Sequence, residues 1–180
     1  MAKVISLQKA KERRIEKGEA GDLTGLLRRA TLICKENLNF SQDKLSVIKE
    51  GQLKNVLEGK ITQEIFSRKL ISSDIFLCGI YVAKLLSELA LSAPESWWAI
   101  DYFASDDSLT LKKGGDICFI ICGVFPKRGN RRLMNITYYQ KMGVSFYHKF
   151  YNRANIEIGY HMSNQFQTMV TVVQGCMRNF

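Results

Sequence analysis

Proline is scarce in this chain, with two residues among 180. Because proline interrupts helices, its scarcity favours long helices over a turn-rich β-sandwich, as does the high share of Leu, Ile, Lys and Glu.

The chain also has no run of the roughly 20 apolar residues that a membrane span needs. Its best apolar runs are short, Ile75–Ala83 and Ile117–Phe125. The basic N-terminus is not followed by the apolar stretch of a secretory signal, so we expect a cytoplasmic protein.

Residues that often carry catalysis or bind metals are few. The two histidines, His148 and His161, have no nucleophile or carboxylate beside them in the sequence. Catalysis needs several groups together, so we expect a non-enzymatic protein. The five cysteines are odd in number and irregularly spaced, which excludes a secreted disulfide framework. Cys118 and Cys122 are one helical turn apart but lack the further ligands of a zinc site. The sequence therefore predicts neither a metal nor a cofactor.

Acidic residues are rare in the last two fifths of the chain. Residues 109–180 hold ten of the 26 basic side chains but only two of the 17 acidic ones, and the whole chain has a net charge of +9. A turn after Pro126 concentrates four of these basic side chains: Lys127, Arg128, Arg131 and Arg132. Such a cluster is typical of a site for an anion, a nucleic acid or an acidic partner, and also of a solvated loop.

Apolar residues recur three and four positions apart through most of the chain, which predicts an all-α bundle of six or seven helices. Residues 1–20 read as a basic mixed-charge arm or exposed helix, and residues 21–180 as a single domain. The predicted helices are 23–38, 41–59, 62–70, 74–93, 109–125, 138–151 and 156–177. The fourth and fifth are very apolar and are expected at the centre. Periodicity leaves a strand open as an alternative at 117–125 and 168–173.

Aromatic residues are concentrated in one predicted helix, where they recur every four positions. The stripe they form has these main members: Tyr138, Tyr139, Met142, Gly143, Phe146, Tyr147 and Phe150. Gly143 leaves a notch in which another helix can approach closely. The adjacent Trp97 and Trp98 form a second aromatic group. We interpret both groups as an interface or the wall of a ligand pocket, with core packing as the alternative.

Asp116 precedes an intensely apolar run and is a further candidate. We expect it either to anchor a basic group, such as Arg131 or Arg132, or to lie near a helix start, where the helix dipole favours an acid. Asp106 and Asp107 are typical of a loop or a helix N-cap.

One stretch of the chain has a distinctive pattern, formed by these residues: Gly115-Asp116-x-Cys118-x-x-x-Cys122-Gly123-x-Phe125-Pro126, the basic turn, then Tyr138-Tyr139-x-x-Met142-Gly143-x-x-x-Tyr147. It resembles all-helical proteins of bacterial genomes over roughly residues 74–175. The resemblance implies a bacterial helical domain, and it implies no activity, ligand or catalytic residue.

These features together favour a non-enzymatic helical protein that acts by self-association, as a homo-oligomer, or by binding another protein. The basic turn would contact an acidic or phosphate-bearing partner. Two alternatives stay open. One is nucleic-acid binding through the basic C-terminal part, and the other is a helical pocket for a small hydrophobic or anionic molecule.

Overall fold

A computed structural model describes residues 50–92, 94–129 and 135–178, and these residues form helices and no strand. The prediction of an all-α bundle is therefore confirmed. The helices in chain order are α1 (Glu50–Ser67), α2 (Ser73–Leu91), α3 (Ile100–Phe103), α4 (Ser108–Gly123), α5 (Pro126–Gly129), α6 (Ile136–Ala154) and α7 (Glu157–Arg178). The predicted arm at 1–20, its boundary with the domain and the predicted helix at 23–38 lie outside the described residues.

Helix α1 continues through a predicted boundary. The sequence predicts a helix end at Gly59 and a new start at Thr62, and both predictions are wrong. The helix continues because four apolar side chains one turn apart are almost completely buried: Leu53, Leu57, Ile61 and Ile65. A glycine inside a helix costs about 1 kcal/mol, whereas burying each such side chain contributes roughly 1.5–3 kcal/mol.

Helix α2 begins where the sequence predicts. The Ser72 hydroxyl accepts a hydrogen bond of 3.3 Å from the backbone N–H of Ile75 and thereby caps the helix. One face of α2 packs against α1 and α7. On another face Leu77 and Ile80 are nearly half exposed. The composition of α2 predicts a helix that is enclosed at the centre of the bundle, but one face of α2 is partly exposed.

Helix α4 is the most enclosed element among the described residues. The Asp107 carboxylate accepts a hydrogen bond of 2.8 Å from the backbone N–H of Thr110, so the N-cap expected at this position is present. Every residue from 114 to 123 is buried, with α3, α6 and α7 packed around the helix. The strand alternative for its second half is wrong.

Helices α6 and α7 form the other half of the core. The Asn135 side chain accepts a 2.9 Å hydrogen bond from the backbone N–H of Tyr138 at the start of α6. The helix ends at Ala154, and the capping residue that follows, Asn155, has a φ of 53° in the left-handed region that asparagine tolerates. Helix α7 follows directly and remains helical through 168–173, so the strand alternative there is also wrong.

Two adjacent glycines bring α4 and α6 close together. A β-carbon at Gly114 would lie 2.8 Å from the Phe146 ring, and one at Gly115 would lie 3.0 Å from the Tyr147 ring. The aromatic rings of α6 therefore lie directly against the backbone of α4.

None of the helices described here is both long enough and apolar enough to cross a membrane.

Candidate functional site

A buried carboxylate stands at the centre of the described bundle. Asp116 on α4 is 6% exposed, and its Oδ1 accepts hydrogen bonds from the hydroxyls of Tyr81 at 2.5 Å and Tyr147 at 2.7 Å. Its Oδ2 accepts a hydrogen bond of 2.8 Å from the Lys112 ammonium. Side chains from α2, α4 and α6 therefore converge on one carboxyl group, and we call these four residues the Asp116 cluster.

The position of Asp116 corrects one expectation from the sequence. Helix α4 begins at Ser108, so Asp116 lies in its second half and not near the start. The helix dipole does not favour an acid there. The basic partner of Asp116 among the described residues is Lys112, one turn earlier on the same helix. Arg131 and Arg132, the partners that the sequence suggested, lie outside the described residues.

Burial governs the ionisation of the cluster. Loss of solvent raises the pKa of Asp116, and the Lys112 ammonium and the two phenol hydroxyls oppose that rise. Burial and then the negative charge of Asp116 raise the pKa values of Tyr81 and Tyr147 well above 10.0. Both phenols are therefore protonated donors at neutral pH.

Asp116 also lines a cleft with a volume of about 260 Å³ between α2 and α4. Its walls are mainly apolar and include four aliphatic side chains: Leu85, Leu89, Ile117 and Ile120. Tyr102 lines the cleft as well, and its hydroxyl donates a hydrogen bond of 2.9 Å to the backbone carbonyl of Ser96. An apolar cavity with a few ionisable groups is the usual form of a small-molecule site.

Charged side chains also line the cleft. Glu88, Glu95 and Lys113 lie along it with the buried Asp116. Glu95 forms an exposed ion pair of 3.4 Å with Lys113, and Glu88 forms one of 3.7 Å with Lys84. Exposed pairs of this kind contribute at most about 1 kcal/mol, so a bound molecule can displace them at small cost.

The aromatic stripe of α6 lies largely inside the bundle. Four of its members are 1–5% exposed: Tyr139, Phe146, Tyr147 and Phe150. They fill the core of the chain itself and are not available to a partner in the folded protein. Tyr138 and Met142 are half-buried and remain accessible at the edge of the stripe.

The notch at Gly143 is occupied by another helix of the same chain. A β-carbon at Gly143 would lie 2.4 Å from the Phe166 ring of α7 and 3.0 Å from the Cys118 β-carbon of α4. The close approach that the glycine predicts is therefore present within the bundle.

The two tryptophans have different surroundings. Trp97 is half-buried and packs edge-on against Phe125, with their ring centroids 5.7 Å apart. Trp98 is 47% exposed and begins a short segment in which Ile100, Phe103 and Leu109 are also exposed. Neither tryptophan lines the cleft.

The basic turn is described only in part. Lys127 is exposed on the short helix α5. The side chain of Arg128, and the whole of Arg131 and Arg132, lie outside what the structure describes. Its predicted role as an anion or nucleic-acid site stays a prediction.

The thiols are buried in the described part of the chain. Cys78, Cys118, Cys122 and Cys176 are free and enclosed.

Within residues 50–92, 94–129 and 135–178, no group of three acidic, histidine or cysteine side chains is placed to hold a metal ion. His148 is exposed, and the Nδ1 of His161 lies 3.6 Å from the Asp74 carboxylate.

Sequence reasoning singled out Asp116 and Tyr147 but did not connect them, and it missed Tyr81 and Lys112. The spacing of Lys112 and Asp116, four residues apart, is a sequence signal for an ion pair on a helix. The two tyrosines lie 35 and 31 positions from Asp116, so only the packing of α2 and α6 on α4 brings them to it.

Comparison with protein-family models, with curated proteins and with solved structures finds no match to this chain. The candidate function therefore depends on the geometry of the site alone.

Proposed function

We propose that this chain is a cytoplasmic, non-enzymatic helical protein that binds a small, largely apolar molecule in the cleft between α2 and α4. The observation that carries the proposal is the cavity of about 260 Å³ in which aliphatic walls meet a buried ionisable side chain, Asp116. Apolar walls supply affinity through the hydrophobic effect, and a small number of polar groups fix the orientation of the ligand.

The Asp116 cluster supports the proposal because it holds a polar group rigidly at the cleft. Three hydrogen bonds from three different side chains fix the carboxylate, so little entropy is lost when a ligand contacts it. A buried ionisable group with a perturbed pKa that also lines a cavity is a recognised indicator of a functional site.

Native mass spectrometry of purified, untreated protein tests the proposal with two matched variants. Ser92 lines the cleft, whereas Ser73 is exposed at the opposite end of α2. Ser92→Phe narrows the cleft, and Ser73→Phe adds the same bulk elsewhere. We expect the wild type and Ser73→Phe to carry an added small mass that Ser92→Phe lacks. An added mass that Ser92→Phe retains would place the bound molecule outside the cleft.

Self-association is a second candidate, and a different observation favours it. Trp98, Ile100, Phe103 and Leu109 are each 44–63% exposed within one short segment. Exposed apolar residues concentrated in this way often contact another protein. We propose that these exposed residues contact a second copy of this chain. Sedimentation of the wild type and of the Ile100→Ser/Leu109→Ser variant tests this candidate. We expect the wild type to sediment as an oligomer and the variant as a monomer. Equal masses for the two proteins would contradict this candidate.

A further inference from the structure

Ion pairs within the chain balance the charges that line the cleft. Each acid of the described lining is paired with a lysine: Glu88 with Lys84 at 3.7 Å, Glu95 with Lys113 at 3.4 Å and Asp116 with Lys112 at 2.8 Å. This local balance contrasts with the net charge of +9 on the whole chain. A charged ligand would therefore exchange one ion pair for another and gain little.

The uncharged polar side chains of the described lining also have partners. The Tyr102 hydroxyl donates a hydrogen bond of 2.9 Å to the Ser96 carbonyl and accepts one of 3.2 Å from the Ser96 N–H. The Ser92 hydroxyl donates one of 3.3 Å to the Glu88 carbonyl. A polar ligand group would have to displace these bonds, so it adds less affinity than hydrocarbon laid against the aliphatic walls.

A charged ligand group would also lose its hydration in the cleft. Burying an ionised group is costly unless an opposite charge replaces the water. At Asp116 a cation would be repelled by the Lys112 ammonium, and an anion by the carboxylate itself. The sequence left open a hydrophobic or an anionic molecule for a helical pocket, and these charges favour the hydrophobic one.

The volume of the cleft sets the size of molecule that it can hold. An apolar cavity of about 150 Å³ holds benzene. The cleft between α2 and α4 has a volume of about 260 Å³. By proportion it can hold a molecule of about ten non-hydrogen atoms.

We infer that the cleft takes an uncharged, mainly hydrocarbon molecule of about ten non-hydrogen atoms, which lies against Leu85, Leu89 and Ile120. The inference rests on the proposed function and adds the charge and the size of the ligand. The ion pairs of the lining are the source of the selectivity, because they balance the charges that would otherwise attract a charged molecule of the same shape.

Three probes of similar shape, each with about ten non-hydrogen atoms, test the inference: 2-phenylethanol, 2-phenylethylamine and phenylacetate. At neutral pH the first is uncharged, the second is a cation and the third is an anion. Each is titrated into the full chain while the methyl NMR signals of Leu89, Ile117 and Ile120 are followed. We expect 2-phenylethanol to bind most tightly and both charged probes to bind at least about tenfold more weakly.

Two variants test whether the ion pairs cause this selectivity. Glu95→Gln leaves the Lys113 ammonium without its carboxylate, and we expect phenylacetate to gain about two- to fivefold in affinity. Lys113→Gln leaves the Glu95 carboxylate without its ammonium, and 2-phenylethylamine should gain by a similar factor. Both side chains are exposed, so the fold should tolerate the changes. The affinity for 2-phenylethanol should stay unchanged in both variants.

Matched controls remove one charge of each sign elsewhere on the surface. Glu157→Gln and Lys141→Gln change exposed side chains that do not line the cleft. Neither control should change any of the three affinities.

The outcomes separate the inference from the proposed function. Binding of either charged probe as tight as that of 2-phenylethanol, or absence of the expected gain in either cleft variant, would overturn the inference and leave the cleft as a binding site. Absence of a saturable shift with all three probes would overturn the inference together with the proposed function.

Discussion

The Phe166 ring of α7 lies against the backbone of α6 at Gly143, where an added β-carbon would be 2.4 Å from two of its ring carbons. That distance is far below van der Waals contact, so any larger residue at position 143 forces the two helices apart or the ring to move. Phe166 is itself almost completely buried and packs edge-on against Phe119 of α4, with ring centroids 5.5 Å apart.

This contact predicts that Gly143→Ala destabilises the fold. Overpacking a well-filled core costs typically about 1–3 kcal/mol, and we expect a loss of that size in the free energy of unfolding measured with urea. Gly59→Ala is the matched control, because a β-carbon at Gly59 has no neighbouring atom within 4 Å. It should leave stability unchanged or raise it by up to about 1 kcal/mol. Wild-type stability in Gly143→Ala would contradict the close contact.

Glycine illustrates what the sequence can predict and what it cannot. Gly143 lies in a regular aromatic pattern, so a close helix contact at that position is predictable. Gly59 lies in no such pattern. A lone glycine in the sequence does not show whether burial of the apolar side chains around it outweighs its cost, so that the helix continues. Similarly, the helix of Asp116 follows from local periodicity, but Tyr81 and Tyr147 reach it only through tertiary packing.

Tyr147→Phe removes one of the two hydroxyls that donate to Asp116 Oδ1. A hydrogen bond to a charged group contributes about 1.5–3 kcal/mol, so we expect a loss of that order in the free energy of unfolding. The control is Tyr160→Phe on α7, where the side chain is 48% exposed and the same change should have little effect. Equal stability of the two variants would mean that the Tyr147 hydroxyl does not stabilise the cluster.

The tyrosines of the cluster also predict a loss of stability at alkaline pH. Their folded-state pKa values are raised well above 10.0, so the folded protein retains protons that the unfolded chain releases. Their contribution is fully present below pH 10 and is lost as the pH rises through the folded-state values. Urea unfolding between pH 9 and about 11.5 should show a steeper decline for the wild type than for Tyr147→Phe. Parallel declines would contradict this assignment.

The buried cysteines should be unreactive in the folded protein. Burial raises the pKa of Cys176 to about 11 and those of Cys78 and Cys122 to about 12, and it raises the pKa of Cys118 as well. The thiolate is the reactive form. In a Cys34→Ser variant, Ellman's reagent at pH 8 should modify these four thiols only as fast as the chain unfolds, and all four at once in urea. Rapid modification under native conditions would show that one of them is accessible.

The basic turn gives a prediction that is independent of the cleft. If Lys127, Arg128, Arg131 and Arg132 bind nucleic-acid phosphates, affinity for single-stranded RNA should fall steeply with salt, since each neutralised phosphate releases counterions. Changing all four to glutamine should flatten the dependence of log affinity on log salt by roughly 0.7 for each phosphate that is no longer neutralised. An unchanged slope would exclude the turn from any such binding.

The most direct test of the central proposal is a titration of 1-hexanol into methyl-labelled protein, followed by NMR. The cleft side chains Leu85, Leu89, Ile117 and Ile120 should shift together and saturate at one common affinity. Ile61 and Ile65, which are buried on α1 and do not line the cleft, should not move. If the cleft methyl groups fail to shift, or if the α1 methyl groups shift equally, the space between α2 and α4 is not a binding site.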